Sequence, residues 1–175
     1  MTAVRILGVD PGSLKAGYAV IEVVGRKLNY LHSGVFVYPA QEKFLARINY
    51  IYDSFATLGE TWRPDEVALE SLVYVKSPTS LIKLAQARGM MLAALRNMEG
   101  KIFEYSPNLV KSSVTGHGLA DKASVQKSLN MILGWRNGKK TFQTFDESDA
   151  LAVAVCHSLH RKGSYDRPFT GDRAL

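Results

Sequence analysis

The opening forty residues constrain the fold most. Arg5–Val9 is a short run that is apolar after its arginine and reads as a buried strand, and it ends on Asp10-Pro11-Gly12, which turns the chain away. Gly17–Val24 and Lys27–Tyr38 follow, rich in Val, Ile, Tyr and Phe and separated only by Gly25-Arg26. Two such runs across a two-residue turn form an antiparallel hairpin. A chain that begins with a three-stranded meander cannot be a helical bundle, and it needs further elements to cover the faces of its sheet.

The pattern then changes period. Phe44, Leu45, Ile48, Ile51, Tyr52, Phe55 and Leu58 recur at helical spacing, which predicts an amphipathic helix to about Leu58. Val67–Leu69 after Pro64 reads as a fourth strand and Ile102–Tyr105 as a fifth. Between them, Ser77-Pro78 supplies a hydroxyl N-cap and a proline at the first helical position, opening a helix to about Met98 that Gly100 stops. Pro107 starts a short helix to Val114, and Val125, Leu129, Ile132 and Leu133 face one side of another that Gly134 ends. Thr144-x-x-Glu147 is a capping box for a last helix to about Lys162. Residues 136–143 form a basic, exposed loop, and 164–175 a flexible tail after a single domain of residues 1–163. The expected class is α/β: a mixed five-stranded sheet flanked by helices. Trp62 and Trp135 are expected in the core or as caps.

Composition narrows the partners. The 175 residues carry 22 Lys and Arg against 16 Asp and Glu, a net charge of +6. The excess is local: Lys101, Lys111, Lys122, Lys127, Arg136, Lys139 and Lys140 face only Glu104 and Asp121 between 101 and 140. A basic patch of this kind is the footprint of a polyanion, although a lysine-rich solvated surface would read the same way. No apolar run approaches the roughly 20 residues of a membrane helix, and the N-terminus lacks the charged and apolar regions of a signal peptide, so a cytoplasmic protein without a membrane partner is expected. Cys156 is the single cysteine. With His157 and His160 it makes three candidate zinc ligands on one helix, where a structural zinc takes four, usually in two separated pairs. His157 also continues the helix face of residues 146, 149 and 153, which predicts a place for it close behind the acidic site.

Four carboxylates sit at element ends. Asp10 closes the first strand and Glu70 the fourth, while Asp146 and Asp149, three apart, share a face at the start of the last helix. Side chains there project into clefts, and all-oxygen donors suit a hard cation such as Mg²⁺. Two such ions about 3.5–4 Å apart can clamp the attacking and leaving oxygens of a phosphodiester displacement. Each carboxylate has a plainer reading. Asp10 can form a turn, and acids near a helix start are favoured by the dipole. A glutamate closing an apolar strand is the hardest to explain without a task.

Five motifs, in order, resemble one family. Ile6–Ser13 with Gly17-Tyr18, Ala68-Leu69-Glu70, Leu84-Ala85-Gln86-Ala87-Arg88-Gly89, Val110-Lys111 with Gly116–Lys122, and Asp146–Ala154 are similar to the motifs of the RuvC family of Holliday junction resolvases, from about Ile6 to His157. The resemblance implies a ribonuclease H-like fold and a metal-dependent endodeoxyribonuclease that resolves four-way DNA junctions by paired symmetric nicks. On it, Asp10, Glu70, Asp146 and Asp149 become metal-binding catalytic carboxylates, for two Mg²⁺ ions with Mn²⁺ as a substitute. Lys122 supports the scissile phosphate, and Lys111, Lys76, Tyr74, Arg88 and Lys127 join it on the DNA. The family usually has an aromatic three residues after the glutamate. Here that place holds Val73, with Tyr74 beside it: either Tyr74 takes over the stacking or the contact is weaker. The resemblance also implies a homodimer and work beside the RuvA–RuvB branch-migration complex. The nearly all-apolar stretch Arg88–Leu95 is either buried in the chain or such an interface. An RNA-cutting relative of the same fold and a module that holds branched DNA without cutting are the rival readings. The Gln-Ala-Arg-Gly helix argues against the first and the intact acidic quartet against the second.

Overall fold

The computed structural model describes residues 2–72, 77–96, 101–135 and 142–161. Its elements are β1 (Val4–Asp10), β2 (Lys15–Val24), β3 (Lys27–Val37), α1 (Phe44–Trp62), β4 (Glu66–Glu70), α2 (Pro78–Ala94), β5 (Ile102–Tyr105), α3 (Pro107–Thr115), α4 (Lys122–Ile132) and α5 (Phe145–His160). The five strands form one sheet in the order β3-β2-β1-β4-β5. The meander β1-β2-β3 is antiparallel, and Gly25 supplies the positive φ of 61° that its two-residue turn needs. β4 then adds parallel to β1, and β5 parallel to β4. The expected mixed sheet is therefore present.

Strand alternation divides the core into two layers. Ile6, Ala19, Ile21, Ala68 and Tyr105 face α5, with α3 and α4 outside it. Leu7, Val9, Val20, Val67 and Leu69 face α1 and α2 through Ile51, Phe55, Ala87 and Met91. Helix α5 is buried from Glu147 to His157 except at Asp149. Its small residues allow that depth: a Cβ on Gly8 would collide with the carbonyl oxygen of Ala150 and with Ala154. Glycine in β1 and alanine in α5 thus let a helix lie directly on the sheet.

The caps explain most boundaries. Ser77, Ser106, Asp121 and Thr144 each accept a hydrogen bond from a backbone N–H in the first turn of α2, α3, α4 and α5. α1 runs four residues beyond the expected Leu58. Trp62 stacks on His32, with ring centroids 5.4 Å apart, and Arg63 closes the helix in the left-handed region at φ 42°. Trp135 packs edge-on to Tyr30. α2 ends at Ala94, capped by Leu95, short of the expected Met98; Met98, Gly100, most of the basic loop and the tail 164–175 lie outside the described residues. At Thr144 the capping box is altered: Thr144 accepts from the Glu147 N–H at 3.4 Å, while the Glu147 carboxylate reaches back to the Gln143 N–H at 2.8 Å. Its other oxygen accepts from the Ser33 hydroxyl at 2.5 Å, tying the start of α5 to β3.

Candidate active site

In the parallel pair β1–β4, Val9 lies beside Leu69, so Asp10 and Glu70 end neighbouring strands one step further on. Both lie on the α5 side of the sheet, two residues along from Gly8 and Ala68. Asp10 pairs across β2 with Gly17, and a Cβ on Gly17 would overlap the carbonyl oxygen of Asp146. The bare backbone at Gly17 therefore lets the first turn of α5 descend beside Asp10. Asp149 follows one turn later on the same helix face.

The charges of this corner act on one another. Burial, then Glu70, Asp149 and Asp146, push the Asp10 carboxyl up to about 8, against a partial relief from Lys122. Glu70 is also held above the usual carboxylate range, by burial and Asp149, with Lys111 and Lys122 opposing. The other three carboxylates predicted for the site thus each act on Asp10. Against their negative charge, Lys122 Nζ lies 2.8 Å from Asp149 Oδ2. Partial burial opposes the ammonium charge, but Asp149, Asp10 and Asp146 outweigh it and raise the Lys122 pKa. A cavity of about 200 Å³ opens beside the pair, with Glu70, Lys111, Lys122 and Asp149 on an apolar floor that includes Val110, Val125 and Ala152.

Among the described residues no three Asp, Glu, His or Cys side chains are drawn into a formed metal-ligand group. Lys122 is ion-paired with Asp149. The donor set nevertheless fits a hard divalent ion: every candidate ligand is a carboxylate, and a buried carboxyl raised to about 8 is one that a nearby cation would ionise.

Helices α4 and α5 are locked in register around Lys122. Gln126 Nε2 donates to Ser148 Oγ at 3.1 Å, and that hydroxyl donates to the Phe145 carbonyl at 2.9 Å. The ring of Phe145 also lies under the ammonium, 5.1 Å from Nζ to centroid. Phe145, Ser148 and Gln126 are the site residues that sequence reasoning missed. The only signal would have been an unexplained exposed aromatic just ahead of the acidic pair.

The other expected residues are dispersed. Lys127 is exposed on α4, one turn from Lys122, and Lys111 lines the cavity from α3. Arg88 is ion-paired with Glu104, which faces the α1–α2 layer beside Leu69, so its charge is neutralised on the opposite face of the sheet. Val73, Tyr74 and Lys76 lie outside the described residues.

His157 is not behind the acidic site, and this expectation is corrected. It is fully buried beside the first residue of β4, with Nε2 2.8 Å from Glu66 Oε2 and Nδ1 2.6 Å from the Tyr105 hydroxyl. Glu66 and Glu70 are separated by four strand residues, roughly 13 Å. Eleven residues of helix after Asp146 have carried the face to the far end of the sheet. Cys156 meets Ser113 and His160 and is buried, so Cys156, His157 and His160 do not converge as zinc ligands.

Known proteins share this fold. The sequence model of the family described as "Crossover junction endodeoxyribonuclease RuvC" matches residues 6–157. This chain belongs to the RuvC family. Relatives carrying that description include one from Thermotoga petrophila, 38% identical over 90% of this chain and 94% of its own length. Another, from Xanthobacter autotrophicus, is 39% identical over 92% and 93%. A Thermus thermophilus RuvC, solved in complex with Holliday junction substrate, superposes with a TM-score of 0.83 at 28% identity, covering 94% of this chain and 99% of that one. The ribonuclease H-like resolvase fold and the nuclease class are thereby established for this RuvC chain. The family match ends at His157, so it takes in all four carboxylates and Lys122. Among the described residues, no helix is long and apolar enough to cross a membrane.

Proposed function

We propose that this chain resolves four-way DNA junctions, with Asp10, Glu70, Asp146 and Asp149 holding two Mg²⁺ ions, for which Mn²⁺ can substitute. The observation that carries the reading is geometric: Asp10 and Glu70 end neighbouring strands, α5 seats Asp146 against Gly17 beside Asp10, and Lys122 pairs with Asp149 one turn further on. When bound, the ions would activate a water for in-line attack and stabilise the leaving 3′ oxygen. The chain's own part is positional. β1 and β4 present Asp10 and Glu70 from a rigid sheet, and α5 presents the other two from a buried helix. Lys122 stands at the first position of α4, where the N-terminal dipole also favours a phosphate, and its ammonium meets charge developing on the scissile group. Lys111 and Lys127 take neighbouring phosphates. Tyr74 and Lys76 are assigned to DNA contact with them, and Arg88, ion-paired with Glu104, is left out of it.

The assembly we propose is a homodimer, whose two-fold axis suits paired symmetric nicks. Helix α2 supports this: Ala87 and Met91 are its buried residues, while Ile82, Ala85, Gly89 and Ala93 are exposed. A Cβ on Gly89 would meet nothing within 4 Å. The nuclease domain spans residues 1–163 and works in the cytoplasm beside the RuvA–RuvB branch-migration complex. Incubation with a synthetic four-way junction tests the activity. Symmetric, ligatable nicks in Mg²⁺ and none in EDTA are expected, and equal cutting of linear duplex would contradict the structure selectivity.

A further inference from the structure

Phe145 opens α5 with its side chain half-exposed, at 49%. An aromatic ring left that far in water does little for the core. Its one described aromatic-face contact is the Lys122 ammonium, 5.1 Å from the ring centroid. The same ammonium is 2.8 Å from Asp149 Oδ2. Lys122 is thus held twice, by a carboxylate and by a ring face, and the two holds differ in kind. The proposed role of Asp149 requires its oxygens for a metal ion. Once they are given to that ion, the carboxylate attracts the ammonium less and crowds a second cation against it. The ring carries no net charge and donates no electron pair to a metal, so it can keep the ammonium in place without competing for the ion. A lysine has four rotatable side-chain bonds and needs such a hold if it is to remain preorganised. The backbone that carries the ring is tied to the helix that carries Lys122: the Phe145 carbonyl accepts from Ser148 Oγ, which accepts from Gln126 of α4.

We propose that Phe145 is a positioning residue for the reaction: its ring face holds the Lys122 ammonium over the acidic site when Asp149 is committed to metal. The inference rests on the proposed role of Lys122 and adds to it the residue that aims it.

The test uses full-length Phe145→Leu, Phe145→Tyr and Lys122→Met. The first readout needs no activity. An ammonium over a ring puts the lysine ε-protons in its shielding region, so in protein labelled with ¹³C-lysine the Lys122 ε-resonance, identified by its loss in Lys122→Met, should lie upfield. It should return toward the ordinary position in Phe145→Leu and stay upfield in Phe145→Tyr, with and without Mg²⁺. The second readout is single-turnover junction cleavage beside junction affinity. Phe145→Leu should cut about three- to tenfold more slowly with affinity unchanged, the range expected for one lost cation–π contact. Phe145→Tyr should restore the rate, and Phe145→Leu should add nothing to Lys122→Met. An ordinary ε-shift in the wild type, an unchanged rate in Phe145→Leu while Lys122→Met is slow, or failure of Tyr to rescue would each overturn the proposal. Weaker binding with a normal bound-state rate would make the ring a base-stacking platform instead. Normal cutting by Lys122→Met would overturn the role of Lys122, and that of Phe145 with it.

Discussion

Gly17 of β2 carries no side chain where the carbonyl oxygen of Asp146 rests against it. A methyl group there would have to push the first turn of α5 off the sheet, and with it the carboxylates of Asp146 and Asp149. Gly17→Ala should therefore cost about 1–3 kcal/mol of stability through overpacking, and slow junction cleavage more than it weakens junction binding. Urea unfolding and single-turnover assays on one preparation check both. Unchanged stability would mean that α5 can ride up without loss.

The raised Asp10 carboxyl makes the metal-free protein sensitive to alkali. A carboxyl at about 8 in the fold and near 3.8 in the unfolded chain binds more protons when folded, so stability falls as pH rises across that window. In EDTA, the melting temperature should fall between about pH 5 and pH 8. Asp10→Asn should flatten that fall and melt above the wild type at pH 8, by about 2–4 °C for each kcal/mol relieved. Mg²⁺ should raise the wild-type Tm more at pH 8 than at pH 5, and a calorimetric pH series reads all three.

The far end of the sheet should govern stability without touching the chemistry. Arg161 donates two hydrogen bonds to the Glu66 carboxylate, at 2.6 and 2.8 Å, and His157 Nε2 shares one of its oxygens. Burial alone would raise Glu66, but Arg161 and His157 prevail and hold it at about 2. A carboxyl lowered by folding stabilises above its unfolded pKa, and that contribution fades as pH falls through about 4 toward 2. Glu66→Gln should lose on the order of 2–3 kcal/mol at pH 7 and converge on the wild type in acid. Its cleavage rate, measured below its Tm, should be normal, because Glu66 starts the strand that Glu70 ends.

What the sequence reveals of this fold is local. The meander, the fourth and fifth strands, the Ser77 and Thr144 caps and the carboxylates at element ends are read from periods and neighbours a few residues apart. What it hides is long-range. Glu66 meets His157 across 91 residues, and Ser33 meets Glu147 across 114. Glu147 has the spacing of a capping box, but a buried serine hydroxyl on β3 redirects it. His157 has the spacing of the catalytic face, but a straight helix of that length leaves the site before reaching it. Arg88 lies in a family motif, and Glu104 on the neighbouring strand claims its charge. Such pairings depend on which surfaces the fold brings together, which no period records.

The central claim is that one carboxylate cluster carries the cutting, and junction cleavage by Asp10→Asn, Glu70→Gln, Asp146→Asn and Asp149→Asn, set beside junction affinity in EDTA, tests it most directly. Each variant should cut in Mg²⁺ at least about 100-fold more slowly, the scale for losing one preorganised group of the site. Each should bind the metal-free junction as tightly as the wild type or more so, because each removes negative charge near the phosphates. Wild-type cutting by any one of them would remove that residue from the site, and wild-type cutting by Asp10→Asn, on which the other three converge, would contradict the account as a whole.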